Sequence, residues 1–304
     1  MTRRWLLGID GGGSTTRALL KSVDGEVLEP IQGPGSNPFD HPEWRQTLRQ
    51  LVARLPVAPG DVVSYCVGLA GHGDLPAVSQ EQRTLVTELL ADAPGIVVND
   101  AQIAHDGAFL GRAGVLLLAG TGSAVWASDG QGTHWRLGGQ GEAYGDEGSA
   151  HWIGRQALSR LARALDGRRP DPAFALALSS QLRLQQVSAS GVLEWTYATD
   201  HLRSRIASVA RWMDVLADTG QPTAVALLEE AGRLLAELVR AAWTDRLPPE
   251  PHQWSSAGGV TTSACIHATL LRELGHGTYQ PAPLTPLQGA VWRARTLYGG
   301  KTRF

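Results

Sequence analysis

The most constraining feature of this chain is Ile9-Asp10-Gly11-Gly12-Gly13-Ser14-Thr15-Thr16, a glycine- and threonine-rich turn set between two apolar stretches. Trp5 to Ile9 reads as a buried strand and Arg17 to Val23 as a second. Consecutive glycines let backbone N–H groups crowd against a phosphate without a Cβ in the way. The Ser and Thr hydroxyls add donors, and a carboxylate at the strand end, Asp10, suits Mg²⁺ directly or through water. The same residues would also serve as a structural hairpin. Asp24-Gly25 is a two-residue hairpin signal, and Glu26 to Glu29 reads as a third strand.

The arrangement recurs. Val115 to Leu118 reads as a strand, Ala119-Gly120-Thr121-Gly122-Ser123 as a tight turn and Ala124 to Ala127 as the return strand. Two such turns predict two related lobes that clamp phosphate from both sides, with a boundary at Gly111 to Gly114. Within the first lobe, Asp40 and Glu43 look like a capping box, and Trp44, Leu48, Leu51, Val52 and Leu55 share a helical face. Val62 to Val67 and Ile96 to Val98 read as strands, Gln80 to Asp92 and Ala101 to Leu110 as helices. Strands alternating with helices imply a partly parallel sheet and an α/β class. Beyond Ser149, helices are expected at 153–165, 201–216, 224–243 and 263–274, with a strand at 254–257. The domains expected are 1–113 and 114–286, with a terminal helix at 287–297 packing back on the first.

Three further segments carry possible chemistry. Asn99-Asp100 ends a strand, where a carboxylate could accept a proton from a substrate hydroxyl or could simply cap the following helix. Gly138 to Ser149 embeds Glu142, Asp146 and Glu147 among glycines before a helix; it suits a polyhydroxyl ligand, or a helix start that favours acidic residues. Gly258-Gly259-Val260 is either a strand-to-helix turn or a close backbone approach to an adenosine. Gly300-Lys301-Thr302 resembles the end of a P-loop, but Arg295 stands where the first glycine belongs, so it reads as chance. The pattern at Gly11 fails the dinucleotide fingerprint because its sixth position is Thr16, and no HExxH or GxSxG occurs.

Composition narrows the class. Hydrophobic residues make up 43% of the 304, enough for a packed core. Lys plus Arg total 27 against 29 Asp plus Glu, a net charge of −2 that predicts no nucleic-acid partner. The two cysteines, Cys66 and Cys265, are too few and too far apart for a disulfide framework or a zinc cluster, which fits a reducing cytoplasm. The apolar run before Asp10 is too short for a signal peptide, and Ala113 to Ala119, the longest, is too short for a membrane span.

Taken together, Gly8 to Arg17, Gly35-Ser-Asn37, Asn99-Asp-Ala101, Ala119 to Ser123, Gly145 to Ala150 and Ala257 to Val260 resemble the N-acetylglucosamine kinase branch of the BadF/BadG/BcrA/BcrD-type ATPase family, in the actin/sugar kinase/Hsp70 superfamily. The resemblance implies two ribonuclease-H-like lobes holding ATP and sugar in the cleft between them. It implies that Asp10, Gly11, Gly12, Gly13, Ser14, Thr15, Thr16, Thr121, Gly122 and Ser123 handle phosphate and Mg²⁺, and that Gly258 and Gly259 meet the adenosine. Asn37, Asp100, Gly139, Gln140, Gly141 and Asp146 would bind an amino sugar, with Asp100 also the base. Members with this activity often carry Trp where Gln140 stands, and the cluster cysteines of the wider family's activases have no match here. The expected activity is phosphorylation of N-acetylglucosamine at O6 by a cytoplasmic homodimer. Glucosamine or N-acetylmuramic acid as acceptor, a non-catalytic sensor and an ATPase that drives a partner protein are the alternatives.

Overall fold

The computed structural model describes residues 3–90, 93–199 and 201–299. They form two compact units, one built from the chain up to Arg112 together with the segment from Pro281 on, the other from Ala113–Gln280. The Pro-rich segment at 281–286, expected with the second lobe, therefore belongs to the first. Gly300-Lys301-Thr302 and the expected helix end at Asp92 lie outside the described residues.

The first unit opens with β1 (Trp5–Gly11), β2 (Thr15–Ser22) and β3 (Ile31–Pro34), followed by α1 (Trp44–Ala53), β4 (Val62–Leu69), α2 (Pro76–Leu89), β5 (Gly95–Asn99) and α3 (Asp100–Phe109). Its sheet order is β3-β2-β1-β4-β5. β2 runs antiparallel to β1 and β3, whereas β4 and β5 run parallel to β1. The hairpin at Asp24-Gly25 exists, with the Gly25 N–H donating to Ser22 O at 3.1 Å. The third strand is displaced from its expected place: Glu26 to Glu29 contributes only a bridge between Lys21 and Val27, and pairing resumes at Ile31. An edge strand tolerates Pro34 because its outer side needs no donor.

The second unit begins with β6 (Gly114–Ala119), β7 (Ser123–Ser128) and β8 (His134–Gly138). Six helices follow: α4 (Ala150–Leu165), α5 (Pro172–Leu182), α6 (Ala189–Tyr197), α7 (Leu202–Ala207), α8 (Ala210–Asp218) and α9 (Pro222–Ala242). β9 (Gln253–Ala257), α10 (Ala264–Glu273) and β10 (Thr278–Tyr279) close the unit, and α11 (Pro286–Gly299) returns to the first. The second sheet has the order β10-β9-β6-β7-β8, with an antiparallel meander and two parallel additions. Read from β8, this is the strand order of the first sheet, so the two glycine turns mark one fold used twice. The expected helix at 201–216 is two helices, and β8, α5 and α6 were not anticipated.

β1 is buried along its whole length because both faces of the first sheet are covered. Trp5, Leu7 and Ile9 join Trp44, Leu48 and Leu85 on one side. Leu6 faces Leu287, Ala290 and Val291 of α11 on the other. A Cβ at Gly8 would stand 2.8 Å from the Val291 backbone nitrogen, so α11 lies directly on the strand. In the second unit Val115, Leu117 and Val125 pack against Ile153, Leu161, Leu228 and Leu235. Both cysteines are free thiols. No helix among the described residues is long and apolar enough to cross a membrane.

Candidate functional site

In the first unit β1, β3, β4 and β5 point the same way, so the residues after them gather at one sheet edge. Asp10 sits at the end of β1, Asn37 follows β3 and Asp100 follows β5. β5 lies two strands from β1, which places the backbones of Asp10 and Asp100 about 10 Å apart at ordinary strand spacing.

The first turn is closed by the Gly12 N–H donating to Thr15 O at 3.0 Å. Gly11 has no room for a side chain, since a Cβ would meet Leu69 Cδ2 at 2.6 Å. Gly13 and Ser14 are exposed at the tip and Thr15 is half-buried. Thr16 departs from expectation: it is fully buried, and its hydroxyl has no hydrogen-bond partner among the described residues. The alternation along β2 turns it inward and Thr15 outward. The tip is also anchored by His41, whose Nε2–H donates to Gly13 O, a contact the sequence did not reveal.

The Asp10 carboxylate accepts from Arg17 Nη2 at 2.8 Å. The register explains the pair, because Asp10 and Arg17 are opposite one another across β1 and β2. Burial pushes the Asp10 carboxyl above the usual carboxylate range, and Arg17 opposes that shift.

Asp100 is the first residue of α3 and half-buried, with Oδ1 2.9 Å from the Ala101 N–H. The N-cap itself is Asn99, whose Oδ1 also accepts from Ala101 N and whose Nδ2 donates to His72 O at 2.7 Å. His72 Nδ1 donates to Gln82 Oε1 at 2.9 Å, and Gln82 Nε2 donates to Ala70 O at 3.0 Å. This buried network holds the ends of β4 and β5 together. It was not foreseen, because single polar residues after a strand carry no spacing signal. Burial lowers the His72 pKa, which favours the neutral imidazole. Asn37 Nδ2 donates to Asp40 Oδ2 at 2.6 Å. Asp40 is thus no helix cap: α1 starts at Trp44, and the N-cap position, Glu43, makes no side-chain cap hydrogen bond.

In the second unit the Gly120 N–H donates to Gly122 O at 2.9 Å, and the Gly120 and Thr121 carbonyls accept from the Ala150 and His151 N–H groups at 2.9 and 3.2 Å. The turn therefore sits on the start of α4. Two of the expected ligand residues brace it. Ser123 Oγ donates to Glu147 O at 2.7 Å, and its N–H donates to Asp146 Oδ1 at 3.2 Å. Asp146 is buried in a left-handed conformation and also accepts from Arg203 Nη2 at 3.1 Å. Thr121 and Gly122 remain accessible.

β6 and β9 are parallel neighbours, so Gly258 and Gly259 emerge beside the Ala119–Ser123 turn. Gly258 has φ +106°, and a Cβ there would collide with Ala119 O. Gly259 faces open space. Next to them lies a cavity of about 500 Å³ lined by Thr121, Gly259, Ser208, Arg211 and Asp214. Asp214 Oδ1 is enclosed and has no hydrogen-bond partner among the described residues. Burial raises the Asp214 pKa, and a hydrogen bond from Ser263 partly offsets it. The sequence hid this carboxylate within an amphipathic helix. Gly139 and Gly141 follow β8 with φ of +73° and +91°, and Gln140 between them is exposed.

Two five-stranded sheets of one strand order, each with a glycine-threonine turn between its first two strands, define a chain of two ribonuclease-H-like units of the actin-like ATPase class. The chain belongs to the BadF/BadG/BcrA/BcrD ATPase family, which it matches over residues 7–291. It is 29% identical to an N-acetylmuramic acid/N-acetylglucosamine kinase of Clostridium acetobutylicum, over 78% of this chain and 79% of the relative. It is 31% identical to the glucosamine kinase GspK of Vibrio cholerae, over 55% of this chain and 57% of that one. The structure of a candidate N-acetylglucosamine kinase from Chromobacterium violaceum superimposes with a TM-score of 0.75 at 25% identity, covering 97% of this chain and 100% of the other.

Proposed function

We propose that the protein is an ATP-dependent amino-sugar kinase that transfers the γ-phosphoryl group to O6 of N-acetylglucosamine. One observation carries this reading: Asp100 and the Asp10 turn stand at the same edge of one sheet, two strands apart. A base and a phosphate-handling turn at that spacing suit in-line transfer from nucleotide to hydroxyl. The O6–P bond forms as the bond from Pγ to the bridging oxygen breaks, ADP departs, and Asp100 takes the hydroxyl proton. In the first unit Gly12, Gly13, Ser14 and Thr15 present backbone and hydroxyl donors to phosphate; in the second, Thr121 and Gly122 present donors of the same kind. The cavity beside Gly258 and Gly259 takes the adenosine, with Asp214 as an acceptor on its wall. In the first unit Asn37 offers its amide to a sugar; in the second Gln140 and the flanking glycines Gly139 and Gly141 do, while Ser123 and Asp146 brace the Ala119–Ser123 turn.

The Asp10 donor set fits Mg²⁺. One oxygen is held by Arg17, the other has no hydrogen bond among the described residues, and no cluster of three metal-binding side chains occurs among them. Asp10 would hold the ion, directly or through water, beside nucleotide phosphates. When bound, Mg²⁺ neutralises charge on the transferring phosphoryl group.

A coupled assay over N-acetylglucosamine, glucosamine, N-acetylmuramic acid and sugar-free controls tests the reading. Turnover that requires both sugar and Mg²⁺ supports it. Equal ATP hydrolysis without sugar would indicate an ATPase, and no turnover with any sugar would indicate a sensor. The exposed amide of Gln140 favours a hydrogen bond to the C2 substituent, where the candidate acceptors differ. We extend the reading to a cytoplasmic homodimer, which light scattering checks for its oligomeric part.

A further inference from the structure

A second hollow lies in the second unit, on the opposite half of α4 from the turn at Gly120. It has a volume of about 480 Å³ and shares no lining residue with the cavity beside Gly259. Three guanidinium groups line it: Arg160 and Arg163 from α4, and Arg169 from the turn before α5. That turn doubles back on the helix through the Arg169 N–H, which donates to Arg163 O at 3.0 Å. Arg163 and Arg169 are exposed and form no ion pair among the described residues.

The acidic groups around the hollow make their direct contacts with other residues. Glu230 pairs with Arg160 at 2.8 Å. Asp171 accepts from the Phe174 N–H at 3.0 Å with one oxygen and from the Thr223 hydroxyl at 2.6 Å with the other. Asp166, at the end of α4, pairs with Arg168 at 2.6 Å. Like charges gathered in a concavity repel one another, and here Asp166 and Asp171 offset only part of the charge of the three arginines, with no ion pair to Arg163 or Arg169 among the described residues. Planar guanidinium forks match phosphate oxygens two at a time. Phe174 and Pro170 add an apolar wall, and the volume is that of a small-molecule site, which a bare phosphate would leave mostly empty.

We propose that this hollow binds a phosphate-bearing small molecule of sugar-phosphate size, its phosphate held by Arg163 and Arg169. The choice of an amino-sugar 6-phosphate as probe rests on the kinase reading; the site itself does not. Calorimetry on the full chain tests it with N-acetylglucosamine 6-phosphate, inorganic phosphate and unphosphorylated N-acetylglucosamine. The expected result is binding of the sugar phosphate that persists under saturating N-acetylglucosamine and ADP. It should weaken by roughly tenfold or more in Arg163→Gln/Arg169→Gln, from the loss of two charge-assisted contacts. Arg295→Gln, an exposed arginine of α11, should leave it unchanged. Inorganic phosphate binding as tightly through the same two arginines would support the anion site with free phosphate as its occupant. Equal affinity in the double variant, or complete competition by N-acetylglucosamine and ADP, would overturn the proposal. Circular dichroism checks the fold, and Arg169→Gln alone repeats the comparison if the double variant is unstable. Arginine-dependent binding in a protein without sugar-kinase turnover would keep this site and discard the kinase reading.

Discussion

Asp100 and Asp214 show how one residue type takes different work from its surroundings. Asp100 is half-buried at a helix start whose cap is supplied by its neighbour Asn99. Asp100→Asn should therefore lower kcat by roughly 10²–10⁴, the usual worth of a positioned base, with little change in thermal stability. A near-normal kcat in steady-state assays would reduce Asp100 to a structural role. Asp214 is different, because burial favours its neutral form. A carboxyl whose pKa is raised on folding contributes stability at pH below its unfolded value, about 4. That contribution is lost as pH rises through the folded value. Asp214→Asn should thus melt higher than the parent at pH 7, with the gap closing toward about pH 4. If the enclosed oxygen serves the nucleotide, KM for ATP rises in the same variant while KM for sugar holds. A stability gain without any change in KM for ATP would leave Asp214 outside the nucleotide site. The glycine and threonine turns were legible in the sequence because their composition is unusual. The bracing hydrogen bonds of Asp146 and Ser123 were not legible, because a string of letters cannot say whether a carboxylate faces a ligand or caps a backbone N–H.

Among the elements, those with a strong period or a clear stop were legible, including β1, β4, β6, α9 and α11. The missed ones obeyed their tertiary surroundings instead. β8 is a half-exposed edge strand carrying His134 and Arg136, without the alternation that marks a buried face. The interruption at Ser208–Val209 has no Gly or Pro to announce it. Ser208 Oγ donates to Arg205 O at 2.7 Å, and α7 presses its Ile206 carbonyl onto Gly154 of α4, so packing sets the break. α11 gives a measurable case of element packing. Arg293 Nε donates to Asp106 Oδ2 at 2.7 Å, and its Nη2 donates to Oδ1, tying α11 to α3. Asp106 is fully buried and the Arg293 side chain is 23% exposed. Arg293→Leu should cost about 3–5 kcal/mol in urea unfolding, since it strands a buried carboxylate. A loss below about 1 kcal/mol, the level of a surface pair, would show that water reaches the pair.

Across the whole molecule, the two glycine turns gave away the duplication, and the matching strand orders make it explicit. What sequence reasoning placed only approximately was where the Pro-rich segment belongs. Leu284 N donates to Gly107 O at 3.1 Å, and a Cβ on Gly107 would stand 2.9 Å from Thr285 O, so the segment is already seated on α3 before α11 begins. A chain truncated after Gln280 should keep the second unit protected from hydrogen exchange. The first unit should lose protection, because Leu6, Leu19 and Val98 lose their cover. Equal protection of both units would mean that α11 is dispensable. The same connectivity orders events during synthesis. The first unit is started first and finished last, because its closing helix is translated only after all of Ala113–Gln280. At ribosomal rates of about 5–20 residues per second, the β1–β5 sheet waits roughly ten to thirty seconds for its covering helix, and the inserted unit, made during that wait, has every residue it needs before the first unit does. The nascent protein thus spends that interval with one apolar sheet face unclothed, and chaperones that recognise such surfaces meet the half that carries Asp10 and Asp100.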